Sequence, residues 1–267
     1  MQHFISLGLG VQSTTMFYMA ALGEIEPRPK AAIFADPGSE REQSYVTLGH
    51  LQEYGDKVGI PVYVVRQGNL FEEMISDGSS GRAPLYIRRM DGELGMLSRQ
   101  CTNNYKILPI NRLLRSHFGA SAKSPIVSWV GISVDEAQRM RPSRTKYQIL
   151  RYPLIERRIT RSGCYHWLKD NNFPIPVSSA CIGCPYLSDS DFAKLTNAEV
   201  EYLAEWEDRL HQRFKSKDDR LENAYIHRSA RPFRERPWLD SVNPDQGKLE
   251  LELDDKDSLC DEGGCFL

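Results

Sequence analysis

An α/β fold with a mostly parallel sheet is predicted by three observations. Short apolar runs at residues 3–7, 31–35, 61–65 and 126–132 read as strands. Helix-like segments at 14–22, 40–58 and 105–117 separate them, so strands and amphipathic helices alternate. That alternation implies parallel strands joined by right-handed crossovers, with ligands received beyond the carboxyl ends where the strand order reverses. The 267 residues and 40% hydrophobic content suffice for one large α/β domain, or for a domain with an appendage.

The first strand runs into Ser6-Leu7-Gly8-Leu9-Gly10-Val11-Gln12-Ser13-Thr14-Thr15. A strand, a small-residue turn and a helix start make a phosphate cradle. Glycines let an anion approach the backbone, and unpaired N–H groups at the helix N-terminus point at it. Ser13, Thr14 and Thr15 add hydroxyl donors, although the same letters also serve an ordinary strand-to-helix turn. The second strand ends in Phe34-Ala35-Asp36-Pro37-Gly38-Ser39-Glu40. Asp36 is placed there to contact ribose or hold Mg²⁺; capping the next helix, a role Ser39 shares, is the alternative.

Residues 77–99 are long and turn-rich, and read as an active-site lid in which Arg82, Arg88, Arg89 and Arg99 meet phosphates, or as a plain mobile loop. Cys101 follows at a loop-to-helix junction. The helix N-terminus, Arg99 and Lys106 all favour its thiolate, against the alternative of a buried structural cysteine. The strand at 126–132 leads through Gly131 to Asp135 and Glu136, which suit the first turn of a helix, and to Arg139, which one turn on can pair with a polyphosphate.

After Pro153 the character changes, which places a boundary between residues 1–155 and 156–267. Residues 160–171 read as a helix capped by Thr160, residues 173–176 as a stiff connector, and 188–215 as one long helix. Leu195, Val200, Leu203, Trp206 and Leu210 lie on or near one face of that last helix. Within this half, Cys181-Ile182-Gly183-Cys184-Pro185 spaces two thiolates around a tight turn. With Cys164 and Cys101 it supplies four thiols, suited to zinc or an iron–sulfur cluster, or three ligands with Cys101 left as a sulfur carrier. Cys260 and Cys265 flank an acidic linker, as a mobile redox arm or as thiols of no consequence.

Bulk properties narrow the function classes. No run of about 18 apolar residues exists, so no membrane partner is expected. The N-terminus lacks a signal core, and the expected location is cytoplasmic, where cysteines serve as thiols or metal ligands. A net charge of −2 excludes indiscriminate coating of nucleic acid. The charge is uneven, however. Arg139, Arg141, Arg144, Lys146, Arg151, Arg157, Arg158 and Arg161 form a basic run, either a solvated face or a surface for phosphates, nucleotide or nucleic acid. The tail from Glu250 is acidic.

Taken in order, Gly8–Thr14, the Asp36–Glu40 strand end, the block Cys101-Thr102-x-x-Tyr105-Lys106-x-x-Pro109-Ile110 and Gly131–Arg139 resemble the PP-loop ATP pyrophosphatases. The branch resembled is that of the phosphoadenosine phosphosulfate reductases and the sulfurtransferases of DNA phosphorothioation. The resemblance covers residues 1–185 and implies a doubly wound, five-stranded parallel sheet of adenine nucleotide alpha hydrolase type, here 1–155, binding ATP at its carboxyl edge. The change of character after Pro153 and the later cysteines make 156–267 the expected helical metal-binding region with an acidic tail. Gly10 and Ser13 fall on matching loop positions, and with Ser6, Gly8, Gln12, Thr14, Asp36 and Glu136 they are the residues expected around ATP and Mg²⁺. Gln12 stands where many relatives carry an aspartate, and Gly8 where they carry a serine, which leaves Ser6 as a substitute donor. Related tRNA thiolation enzymes hold a 4Fe–4S cluster on three cysteines, a central pair and a later one. The order here is inverted, with Cys101 first and the C-x-x-C later, so the resemblance suggests such a cluster, with zinc as alternative, among Cys101, Cys164, Cys181 and Cys184. The C-terminal Glu-Cys-Gly block of the reductases is absent.

The expected function is an ATP-dependent adenylating sulfurtransferase acting on a nucleotide or nucleic acid, with Cys101, Lys106 and Arg139 catalytic and a sulfur-donor protein as a further partner. Two alternatives stand beside it: a thiol-dependent sulfonucleotide reductase, and a non-catalytic nucleotide- or nucleic-acid-binding protein with structural zinc.

Overall fold

The structure, a computed structural model, describes residues 1–76, 83–177, 179–215 and 221–240. The strands are β1 (His3–Leu7), β2 (Ala31–Asp36), β3 (Val62–Arg66), β4 (Tyr86–Arg89), β5 (Leu94–Met96), β6 (Ile126–Val130), β7 (Gln148–Arg151) and β8 (Leu221–Tyr225). The helices are α1 (Val11–Ala21), α2 (Glu42–Val58), α3 (Leu70–Ile75), α4 (Leu108–Ser116), α5 (Pro153–Glu156), α6 (Arg161–Asp170), α7 (Asp189–Ala193) and α8 (Asn197–Lys215).

The chain folds into two compact units, each assembled from separate stretches of sequence. The first unites Met1–Gln67 with Thr102–Ser179; the second takes the described residues of Gly68–Cys101 and of 180–240. A single cut at residue 155 therefore does not describe the organisation: α5 and α6 belong with the sheet, and the second unit begins inside the supposed nucleotide domain.

The first unit is a five-stranded parallel sheet in the order β3-β2-β1-β6-β7. Alternation along each strand explains why helices cover both faces. Ile5 and Leu7 of β1, Ala32 and Phe34 of β2, and Val127 and Trp129 of β6 join Met16, Phe17, Leu51 and Leu168 in one core. Phe4, Ala31, Ile33 and Ile126, one residue out of phase, meet Leu114 and Phe118 on the other face. β2, an interior strand covered on both faces, is buried throughout. The strand order reverses between β1 and β6, so the loops leaving these two strands border the crevice where such sheets receive ligands.

The expected strands at 3–7, 31–35, 61–65 and 126–132 are found within two residues at each end. β7 was not among the apolar runs, because Gln148-Ile149-Leu150-Arg151 presents only two apolar residues. The helix expected at 105–117 is a π-helix, Thr102–Ile107, continued by α4.

The second unit pairs β5, β4 and β8 in an antiparallel sheet beside α8. Half of the expected lid thus forms the β4–β5 hairpin, while residues 77–82, including Arg82, lie outside the described residues. The single helix expected at 188–215 is two. Ser188 and Asp191 close a capping box that starts α7. Thr196 and Glu199 exchange the same pair of bonds at 3.2 and 2.7 Å, which starts α8. Beneath α8, Trp206 donates to the Phe71 carbonyl at 2.8 Å, and Phe192, Phe233 and Trp238 pack together.

Candidate functional site

The loop after β1 is built to leave a helix end open. α1 starts at Gly10 with no side-chain cap and no acid in its first turn, so its leading N–H groups and their partial positive charge are unneutralised. Ser13 holds the loop closed on itself: its hydroxyl accepts from Gly8 N–H at 3.2 Å and donates to Gly10 O at 3.2 Å. Leu9 sits at φ +62° with its side chain buried, a left-handed conformation that costs a non-glycine residue energy and clusters at ligand sites. Ser6, Gly8 and Gly10 are half-buried, and the Thr14 hydroxyl is buried with no hydrogen-bond partner.

The loop after β6 closes on this one. A Cβ on Gly131 would lie 2.9 Å from Ser13 N and 3.0 Å from Ser13 Cα, so only glycine admits the approach. Gln12 donates to the buried Ser133 hydroxyl at 3.4 Å. Two residues not anticipated from sequence therefore belong to the site: Ser133, and Ser179, whose Oγ lies 2.8 Å from where a Gly10 Cβ would stand. A serine between a connector and the C-x-x-C carries no pattern of its own, which is why Ser179 went unnoticed.

The charged residues are engaged differently from expectation. Asp36 was expected on ribose or Mg²⁺, but both its oxygens are taken. Oδ1 accepts from Gly38 N–H at 2.7 Å and Tyr45 O–H at 2.9 Å, and Oδ2 faces the Arg66 guanidinium at 2.7 Å. Burial and the bond to Asp36 push the Tyr45 phenol up to about 12. Arg139 is a buried partner of Glu136 at 2.6 Å, with Arg161 at 3.5 Å from the same carboxylate. Asp135 accepts from the Arg161 N–H at 3.0 Å, at the N-terminus of α6. Lys106, on the π-helix, reaches the buried Glu40 carboxylate at 3.4 Å.

The thiols do not fit a four-thiolate centre. Cys164 is fully buried in the apolar core behind α1, and burial pushes its thiol up to about 12. Cys101, Cys181 and Cys184 are half-buried thiols. Cys184 N–H donates to Cys181 O at 3.1 Å, so the C-x-x-C is a tight turn, as its spacing predicts. A Cβ at Gly183 would meet the side-chain ends of Leu203 at 2.7 Å and Phe71 at 2.8 Å, so these would have to shift to admit one. Among the described residues no three His, Cys, Asp or Glu side chains are grouped to hold a metal ion. Mg²⁺ finds no open carboxylate on Asp36, and Gln12 offers none. Cys260, Cys265 and the acidic tail lie outside the described residues.

The basic run is partly spent internally. Arg139 and Arg161 bind Glu136, and Arg151 binds Glu156 at 2.7 Å, whereas Arg141, Arg144, Lys146, Arg157 and Arg158 are exposed. No helix among the described residues is long and apolar enough to cross a membrane. No protein-family model matches the chain, and no curated protein matches it.

Proposed function

We propose that this chain binds ATP at the crevice between β1 and β6 and splits it to AMP and pyrophosphate, as a PP-loop type adenylating sulfurtransferase. One observation carries the reading: the uncapped start of α1, held by a strained Leu9, lies at the reversal of strand order of a parallel sheet. An oxygen of a nucleotide or nucleic-acid acceptor attacks the α-phosphorus, and pyrophosphate leaves. The outer sulfur of a Cys101 persulfide, supplied by a donor protein, then attacks the activated centre, and AMP departs with the oxygen. A thiol co-substrate cleaves the resulting Cys101–sulfur–acceptor disulfide by exchange, freeing the thiolated product and leaving the mixed disulfide for a second thiol to reduce. Cys101 directly precedes the π-helix that carries Lys106, and such helices are frequent at functional sites. The exposed cations of residues 141–158 supply a surface for a polyanionic acceptor.

The test is calorimetric titration of the full-length chain with ATP and with pyrophosphate as competitor, followed by product analysis with α-labelled ATP and a mixed nucleic-acid acceptor pool. Competitive binding and equal yields of AMP and pyrophosphate support the reading. Absence of ATP binding, or release of ADP and phosphate, overturns it.

A further inference from the structure

Around the end of β2 and the start of α2, Ser39 Oγ and Glu40 Oε2 in the turn and Ser44 Oγ in the first turn of α2 are sealed from water with no hydrogen-bond partner. Glu40 is the unusual one. Its side chain is only 2% exposed, and the contact of its other oxygen with Lys106, at 3.4 Å, is long for a charge-assisted bond. A buried carboxylate so sparsely compensated is costly, and the missing element is a hydrogen-bond donor. A divalent cation is a poor candidate, because the Lys106 ammonium already stands beside the carboxylate and repels it. A neutral hydroxyl suits the site: it donates to Glu40 and accepts from a serine or from Lys106. Asp36, four residues earlier, has no such need, since both its oxygens are satisfied.

We propose that Glu40, rather than Asp36, is the carboxylate that takes a ribose hydroxyl of the bound nucleotide. The proposal rests on the nucleotide reading above. Entry of the hydroxyl requires Glu40 to rotate about its side-chain bonds, which leaves the strand and the Asp36 network in place. Discrimination for ribose over deoxyribose then follows from a buried charged acceptor that a deoxy sugar leaves unpaired.

The experiment is equilibrium binding of ATP, 2′-deoxy-ATP and 3′-deoxy-ATP to the full-length wild-type chain, to Glu40→Gln and to Glu40→Asp. The wild type is expected to bind one deoxy analogue about 10- to 100-fold more weakly than ATP, the range of a hydrogen bond to a charged group. Glu40→Gln is expected to lose most of that difference, and Glu40→Asp, which keeps the charge but withdraws it by one methylene, part of it. The wild-type comparison needs no variant, so it stands even where a substitution disturbs folding. Equal binding of ATP and both analogues by the wild type, or full discrimination retained by a folded Glu40→Gln, overturns the assignment while the phosphate cradle survives. Failure of the wild type to bind ATP at all overturns both.

Discussion

Cys164 and Gly131 show how single side chains decide what the site can and cannot be. Cys164 has the same atoms as Cys181, yet burial with Leu168 and Trp129 in one apolar core pushes its thiol up to about 12. It is expected to resist iodoacetamide in the native chain up to pH 9 and to react after denaturation; peptide mass mapping of the alkylated chain reads this directly. Labelling of native Cys164 at the rate of Cys181 would restore it as a ligand candidate. Its raised pKa also has a sign for stability: the term is silent below the ordinary thiol value of 9.0 and erodes stability as pH rises from there toward 12. Gly131 acts through shape alone. The atoms its Cβ would strike are Ser13 backbone, which cannot swing aside. Gly131→Ala is expected to cost about 1–3 kcal/mol of stability and, by displacing the first turn of α1, to weaken ATP binding by about tenfold or more; urea melts and calorimetry on one preparation separate the two effects.

Among the elements, those tied by local chemistry were the legible ones. Thr160 was readable as the cap of α6 because a hydroxyl before a helical pattern has one obvious use, and it accepts from Gly163 N–H at 3.0 Å. Thr160→Ala is expected to cost about 1 kcal/mol. The break between α7 and α8 was hidden, because apolar spacing continues through it and only the two capping boxes, read together, mark it. β7 was hidden because an edge strand half open to solvent needs few apolar residues. Glu207 on α8 was equally silent: its role is to accept the N–H groups of Ile226 at 2.9 Å and Phe233 at 2.6 Å, which ties the segment after β8 to the helix. Burial raises its carboxyl from 4.5 to about 7, outweighing the lowering by those two bonds. The folded chain therefore holds a proton that the unfolded chain has released between about pH 4.5 and 7, and stability falls as pH rises through that window. At roughly 1.4 kcal/mol per unit the loss amounts to about 3 kcal/mol. Glu207→Gln is expected to be less stable at pH 5, because its amide nitrogen faces a backbone donor, yet flat across the window. Denaturant midpoints at pH 5, 6 and 7 that move equally in both chains would refute the assignment.

At the scale of the molecule, the sheet was legible and the partition was not. Alternating strands and helices announce a parallel α/β sheet, but nothing local marks residues 68–101 as leaving the sheet unit and joining residues 180–240. The change of character after Pro153 is the visible signal, and it suggested a cut near 155 instead. The partition has a consequence for ligand binding. The elements proposed to hold ATP (the loop after β1, Gly131–Ser133, the turn carrying Glu40, and Ser179) belong to the first unit, whereas Cys101, the proposed sulfur carrier, belongs to the second. Ligand energy must therefore enter the chain there. ATP at about 100 times its dissociation constant adds about 2.7 kcal/mol to the state that binds it. Hydrogen exchange with and without ATP is expected to show slowed exchange in peptides covering 6–15 and 128–140. Protection in the second unit is expected to change only as far as its opening is coupled to that of the sheet. Slowing confined to the C-x-x-C turn and α8, with the loop after β1 unchanged, would move the nucleotide site to the other unit and remove the basis for assigning Glu40.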